Sequence, residues 1–210
     1  VVLVHNGIIE NYQELKEKLT KSGYTFYSQT DTEVATKLID YYYKKEGTPI
    51  NAIARAMLRI RGSYAFGIMF KDIPGKLYAA RNHSPLIIGK GDSASFIASD
   101  VPAILQYTRK YYLLEENEIA TIKADRVEFC DIHKQEIIKE VKESDLDMDA
   151  AEKGGYEHFM LKEIHEQPTA VKTTIAPRII DGMPNLSECG MTKEDLKNYR
   201  KIFIVACGTA

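Results

Sequence analysis

The first dozen residues constrain this chain more than any other stretch. Val1 to Val4 form an aliphatic run, three of its four members Val, that leads straight into His5-Asn6-Gly7. A short β-branched run of this kind reads as a buried strand. Asn and Gly both accept positive φ, so the pair predicts a sharp turn at the strand's end. Asn11, with Glu14 three residues on, has the spacing of a capping box that opens a helix. The expectation is strand, tight turn, helix, with the Asn6 amide and the Gly7 N–H exposed at the corner. Two fixed donors there would suit an oxyanion hole, each worth roughly 3–4 kcal/mol to charge developing on an attacked carbonyl. On spacing alone, a turn that only redirects the chain is the simpler reading. His5 is ambiguous too, although a His at a strand end is more often a hydrogen-bonded structural residue than a base.

Composition excludes several classes of function. Basic and acidic residues nearly balance, for a net charge of −2, and their signs are interspersed. That is no surface for nucleic acid or an anionic membrane. No apolar run approaches the roughly 18 residues of a membrane span, and the start shows no signal-peptide pattern. Cys130, Cys189 and Cys207 are widely spaced with no CxxC pair. This argues against a disulfide framework or a zinc site and suits a reducing cytoplasm.

Further along, Tyr12, Leu15 and Leu19 recur at helical spacing until Gly23 stops the helix. Thr30 and Glu33 make a second capping box, opening an amphipathic helix to about Lys45, and a third helix is expected over 51–60. From Ser63 the pattern is β: 63–70, 77–81, 86–88, 95–98, 111–114, 118–123 and 126–132, broken by a short helix at 102–107. Short turns between sequential strands imply antiparallel sheets, with the early helices on one face. Residues 134–155 turn highly charged and end in Gly154-Gly155, as a linker would. Beyond it come a helix over 156–166, a new helix starting at Pro168, a loop-rich stretch over 176–191, a helix over 193–199 capped by Thr192, and a strand over 201–206.

The run VHNGIIENYQELKEKL resembles the glutaminase domain of the glutamine–fructose-6-phosphate aminotransferase family. The resemblance continues in order through SQTDTEVATKLI (28–39), LRIRGSYAFGIMF (58–70), ARNHSPLIIGKG (80–91), FIASDVPAIL (96–105), HFMLKEIHEQPTAVKTTI (158–175) and IFIVACGTA (202–210). It implies an α+β fold, the αββα sandwich of the N-terminal-nucleophile hydrolases, truncated at its N-terminus. Residues 1–147 would be glutaminase, 148–155 linker, and 156–210 the start of an α/β sugar isomerase domain. The implied reaction takes nitrogen from glutamine and gives it to fructose 6-phosphate, yielding glucosamine 6-phosphate and glutamate. Its nucleophile would be an N-terminal cysteine upstream of Val1, as would the arginine that holds the glutamine carboxylate. By that reading the chain is an internal fragment, inactive and of doubtful stability alone, of a cytoplasmic homodimer that uses no cofactor.

The resemblance gives roles to particular residues. Asn6 and Gly7 would form the oxyanion hole, with Gly7 also contacting glutamine. Asp31 would bind the α-ammonium of glutamine, although a residue at a helix start can simply complement the helix dipole. Cys207, Gly208 and Thr209 would open the sugar-phosphate loop; the family often has Ser where Ala210 stands, which leaves a hydroxyl contact there in doubt. His158 and His165 share a helix face, but seven-residue spacing with no third ligand does not make a metal site. The loop Arg81–Ser84 has no chemical role legible in its residues. Three alternatives stay open: another class II amidotransferase of the amidophosphoribosyltransferase or asparagine synthetase type, which would share His-Asn-Gly, a non-catalytic sugar-phosphate-binding module, and a catalytically dead interaction module.

Overall fold

The first strand does not stop at Asn6-Gly7. In the computed structural model, which describes residues 1–145, 153–201 and 203, β1 (Val2–Ile9) runs straight through the pair. It aligns with β2 (Gly62–Met69) in unbroken antiparallel register, Asn6 opposite Ala65 and Gly7 opposite Tyr64. The expected turn is absent because β2 offers partners along the whole stretch. The positive φ is real, +133° at Gly7, but it is spent inside the ladder. Nor is β1 buried throughout. It lies at the edge of its sheet, with Val2, Val4 and Ile8 exposed on one face and Ile9 fully buried on the other.

Three helices follow β1: α1 (Tyr12–Lys21), α2 (Asp31–Glu46) and α3 (Pro49–Met57). Asn11 does not cap α1 with its side chain. Its Oδ1 instead accepts from the Arg61 N–H and its Nδ2 donates to the Arg59 carbonyl, both at 2.9 Å. Glu14 pairs with Lys18 and Arg61 rather than closing a box. Asn11 thus ties the start of α1 to the segment leading into β2. Asn11→Ala should cost about 1 kcal/mol of stability, read from the midpoint of urea unfolding.

The sheets are built from β3 (Leu77–Asn82), β4 (Ile87–Lys90), β5 (Ser95–Ala98), β6 (Lys110–Leu113), β7 (Glu118–Ile122), β8 (Val127–Asp131) and two-residue strands β9 (Glu136–Ile137) and β10 (Lys142–Glu143). One sheet has the order β1-β2-β3-β7-β8-β9, the other β10-β6-β4-β5, and every pairing is antiparallel. The helix expected over 102–107 is a series of turns. Alternation along β2 sorts its side chains between two cores. Tyr64, Phe66 and Ile68 meet the helices, through Leu15, Val34, Leu38 and Ile53 among others. Ala65, with Ala79 and Ala120, meets Leu86, Ile88 and Leu114 beneath the second sheet. Three layers, helices on sheet on sheet, are thereby assembled among the described residues of this unit.

The chain divides into two compact units, Val1–Glu152 and Lys153–Ala210. In the second, α4 (Phe159–Ile175) is one helix with Pro168 inside it, so Pro168 does not start a new one. A small hairpin joins β11 (Ile179–Ile180) to β12 (Met183–Pro184), and Thr192 with Asp195 forms a full capping box on α5 (Lys193–Asn198). The expected strand over 201–206 lies largely outside the described residues. No described helix is long and apolar enough to cross a membrane.

Candidate functional site

Along β1, His5, Gly7 and Ile9 point to the helical face, as a period of two requires. The N-terminus of α2 comes down on that face. Thr30 caps it, its hydroxyl accepting from the Glu33 N–H, which places Asp31 at the first helical position. Asp31 Oδ2 accepts a 2.9 Å hydrogen bond from the Ile9 N–H. Its Oδ1 lies 3.9 Å from His5 Nδ1, and that same nitrogen is 3.1 Å from Thr32 Oγ1. The carboxylate therefore reaches along the strand between His5 and Ile9, above Gly7. It keeps a quarter of its side-chain surface open, whereas the His5 side chain is 2% exposed. Burial pushes the His5 pKa below the usual imidazole value, with the Asp31 charge and the Ser63 backbone pulling the other way.

Asn6 falls on the opposite, outer face of β1, exposed beside Val4 and Ile8. Gly7 is fixed by a close approach of the two strands. A Cβ there would stand 2.1 Å from the Ser63 carbonyl oxygen. Gly62, at φ +114°, makes the reciprocal approach, its missing Cβ 2.2 Å from the Ile8 oxygen. The structure thus brings Asn6, Gly7 and Asp31 to one end of an edge strand. Cys207, Gly208 and Thr209 lie outside the described residues.

The Arg81–Ser84 loop, which has no role legible in its residues, borders this end. Asn82, at the end of β3, donates a 2.8 Å hydrogen bond to the Gly62 carbonyl. Arg81 is pinned through the Leu114 carbonyl at 2.9 Å, and His83, at φ 61°, places Nδ1 2.9 Å from Glu116. Only the alternation of β1 could have pointed to His5 and Ile9 as partners of Asp31, and only with α2 already placed.

The loop before Asp31 is held by Glu33. Its carboxylate accepts from the N–H groups of Tyr27 and Ser28 and from the Ser28 hydroxyl, and pairs with Lys37 at 2.7 Å. Lys37 first, then these N–H groups, hold its pKa at about 2. A carboxyl with a depressed folded-state pKa adds stability above its unfolded value near 4.3, and loses it as pH falls toward 2. The stability difference between the parent and Glu33→Gln should therefore be constant above about pH 5 and shrink between pH 4.5 and 2. Thermal unfolding across that range measures it.

Among the described residues no group of three His, Cys, Asp or Glu side chains could hold a metal ion, and His165 stacks on Tyr156.

Residues 1–106 match the family described as "Glutamine amidotransferase domain", and the chain belongs to that family. Across all of the chain, it is 54% identical to the glutamine–fructose-6-phosphate aminotransferase [isomerizing] of Caldanaerobacter subterraneus subsp. tengcongensis and 46% identical to that of Escherichia coli K12. It spans about a third of their length, 34% and 35%. Among solved structures it is similar to glutamine phosphoribosylpyrophosphate amidotransferase from B. subtilis, with a TM-score of 0.53 and 29% identity over 62% of this chain and 28% of that one. The fold is of the N-terminal-nucleophile amidotransferase type, as the resemblance implied.

Proposed function

We propose that this chain carries the glutamine-binding part of an enzyme that transfers the side-chain nitrogen of glutamine to fructose 6-phosphate, releasing glutamate and glucosamine 6-phosphate. The observation that carries the glutamine half is the Asp31 carboxylate. One oxygen is anchored by the Ile9 N–H, the other accepts no hydrogen bond among the described residues, and the side chain is a quarter exposed. An amino-acid ammonium needs one such oriented acceptor. The acceptor half rests on the name shared by relatives 46–54% identical to the whole chain.

In this scheme a cysteine thiolate attacks the side-chain carbonyl carbon of glutamine. A C–S bond forms and the oxygen becomes an oxyanion held by the Asn6 amide and the Gly7 N–H; the C–N bond then breaks as the nitrogen takes up the proton that the thiol gave up and leaves as ammonia. Water then hydrolyses the thioester to glutamate. Cys130 is poorly suited to be the nucleophile, since burial, then the Asp131 charge, push its thiol pKa up. The thiolate is assigned to a cysteine outside this chain. Residues 1–147 are assigned to the glutaminase, and 156–210 to the start of a sugar isomerase domain whose phosphate loop opens at Cys207, Gly208 and Thr209. The whole enzyme is placed in the cytoplasm as a homodimer, and the scheme uses no metal or organic cofactor.

The test follows glutamate release from glutamine by the complete reading frame, with and without fructose 6-phosphate, alongside an assay for glucosamine 6-phosphate. Glutamate release coupled to amino-sugar formation is the expected result. Release that ignores fructose 6-phosphate and answers another acceptor would retain the glutamine half and remove the sugar half. No release would remove both.

A further inference from the structure

His5 is an ionisable side chain sealed into this end of the sheet whose role the scheme above leaves unassigned. Its ring packs against Phe66 at 5.2 Å between centroids, and its Nε2 is shut off from solvent beside the Ser63 backbone. Burying a polar ring nitrogen is costly, and a purely packing position would be filled more cheaply by an apolar ring. The ring's other nitrogen faces α2, where Thr32 Oγ1 stands at 3.1 Å and Asp31 Oδ1 at 3.9 Å.

We infer that His5 is a positioning residue for the ammonium group of glutamine: wedged between β2 and the start of α2, it fixes Thr32 and thereby the rotamer of Asp31, leaving Oδ1 open to the ligand. The inference rests on the reading of Asp31 as the ammonium acceptor. The two oxygens of Asp31 are in different states. Oδ2 is taken by the Ile9 N–H, while Oδ1 accepts no hydrogen bond among the described residues. At 3.9 Å the imidazole is too far to occupy Oδ1 and near enough to bar it from swinging inward. Burial disfavours the charged form of the ring, and an uncharged ring does not compete with the ligand's ammonium for the carboxylate charge. Thr32 supports this placement from its own turn, its carbonyl accepting from the Thr36 hydroxyl at 2.8 Å.

A positioning role predicts a loss specific to ligands that carry an ammonium. In the complete enzyme, His5→Phe should raise KM for glutamine about tenfold while kcat changes less than about twofold. His5→Asn, whose amide can take the place of Nδ1 beside Thr32, should recover most of that loss. Competitive inhibition by glutaramate, the glutamine skeleton without its α-amino group, should be unchanged in both. Thr32→Val keeps the shape and removes the hydroxyl, so it should show the same glutamine-selective rise, and it carries the test if His5→Phe fails to fold. Unchanged glutamine KM in the folded variants, or equal weakening of glutamine and glutaramate, would overturn the inference. Asp31→Asn, measured in parallel, separates the two ideas. If it too leaves glutamine KM unchanged, the reading of Asp31 fails. If it raises KM while His5 and Thr32 variants do not, only the role of His5 is lost.

Discussion

Gly7→Ala should abolish glutamate release by the complete enzyme and lower its stability by about 4 kcal/mol, near the upper end of what single substitutions do. The argument is steric and conformational at once. The added Cβ would sit 2.1 Å from the Ser63 carbonyl oxygen and 2.8 Å from its carbon, and neither is a side-chain end that can swing away. The backbone at Gly7 also holds φ +133°, which an L side chain rarely adopts. To accept the methyl group, β1 must separate from β2 at the Gly7–Tyr64 position. Separation withdraws the Ile9 N–H from Asp31 two residues on, so the binding site is lost with the pairing. Differential scanning calorimetry and glutamine turnover together check this. A variant that kept its melting temperature and its activity would mean the strands are free to part here. Gly62→Ala meets a comparable clash, 2.2 Å from the Ile8 oxygen, and should be destabilised to a similar degree.

The same close approach explains which parts of the fold were legible in the residues. The strands from Ser63 onward and helices α2 and α3 follow from local periodicity and caps, and the antiparallel order follows from short connections. Asn6-Gly7 misleads because its propensity for positive φ is genuine while its surroundings differ from those of a hairpin: β2 lies fifty-odd residues later and pairs through it. Asn11 misleads similarly. Its amide has the right chemistry for a cap, but two backbone groups at Arg59 and Arg61 compete for it and win. Pro168 shows the opposite case, a local signal for a helix start overridden by a 17-residue helix that continues on both sides. At the site, Asp31 was identified through a family motif, whereas its partners were not, because the contact joins β1 to α2 across 22 and more residues and leaves no spacing signal. Thr32 and the Ile9 N–H become visible only once the helix is set on the strand.

Asn6→Ala separates chemistry from binding. It should lower kcat for glutamate release by about 10²–10³, the usual cost of removing one oxyanion donor, with KM for glutamine nearly unchanged. The donor acts on charge that exists only as the carbonyl is attacked, so its loss falls on the transition state and not on the bound substrate. In the proposed scheme Asp31 meets a group that is charged throughout, so its replacement should fall on KM. The two residues stand on opposite faces of β1, and the proposed scheme gives them different parts of the reaction. Folding should be indifferent to the change: the Asn6 side chain is exposed, and such substitutions stay within about 0.5 kcal/mol. Asn6→Asp sharpens the contrast. It is nearly isosteric but places a negative charge where the oxyanion forms, so its kcat should fall at least as far as that of Asn6→Ala. Retention of parental kcat by a folded Asn6→Ala enzyme would assign stabilisation of the oxyanion to Gly7 and leave Asn6 as an ordinary residue of the strand.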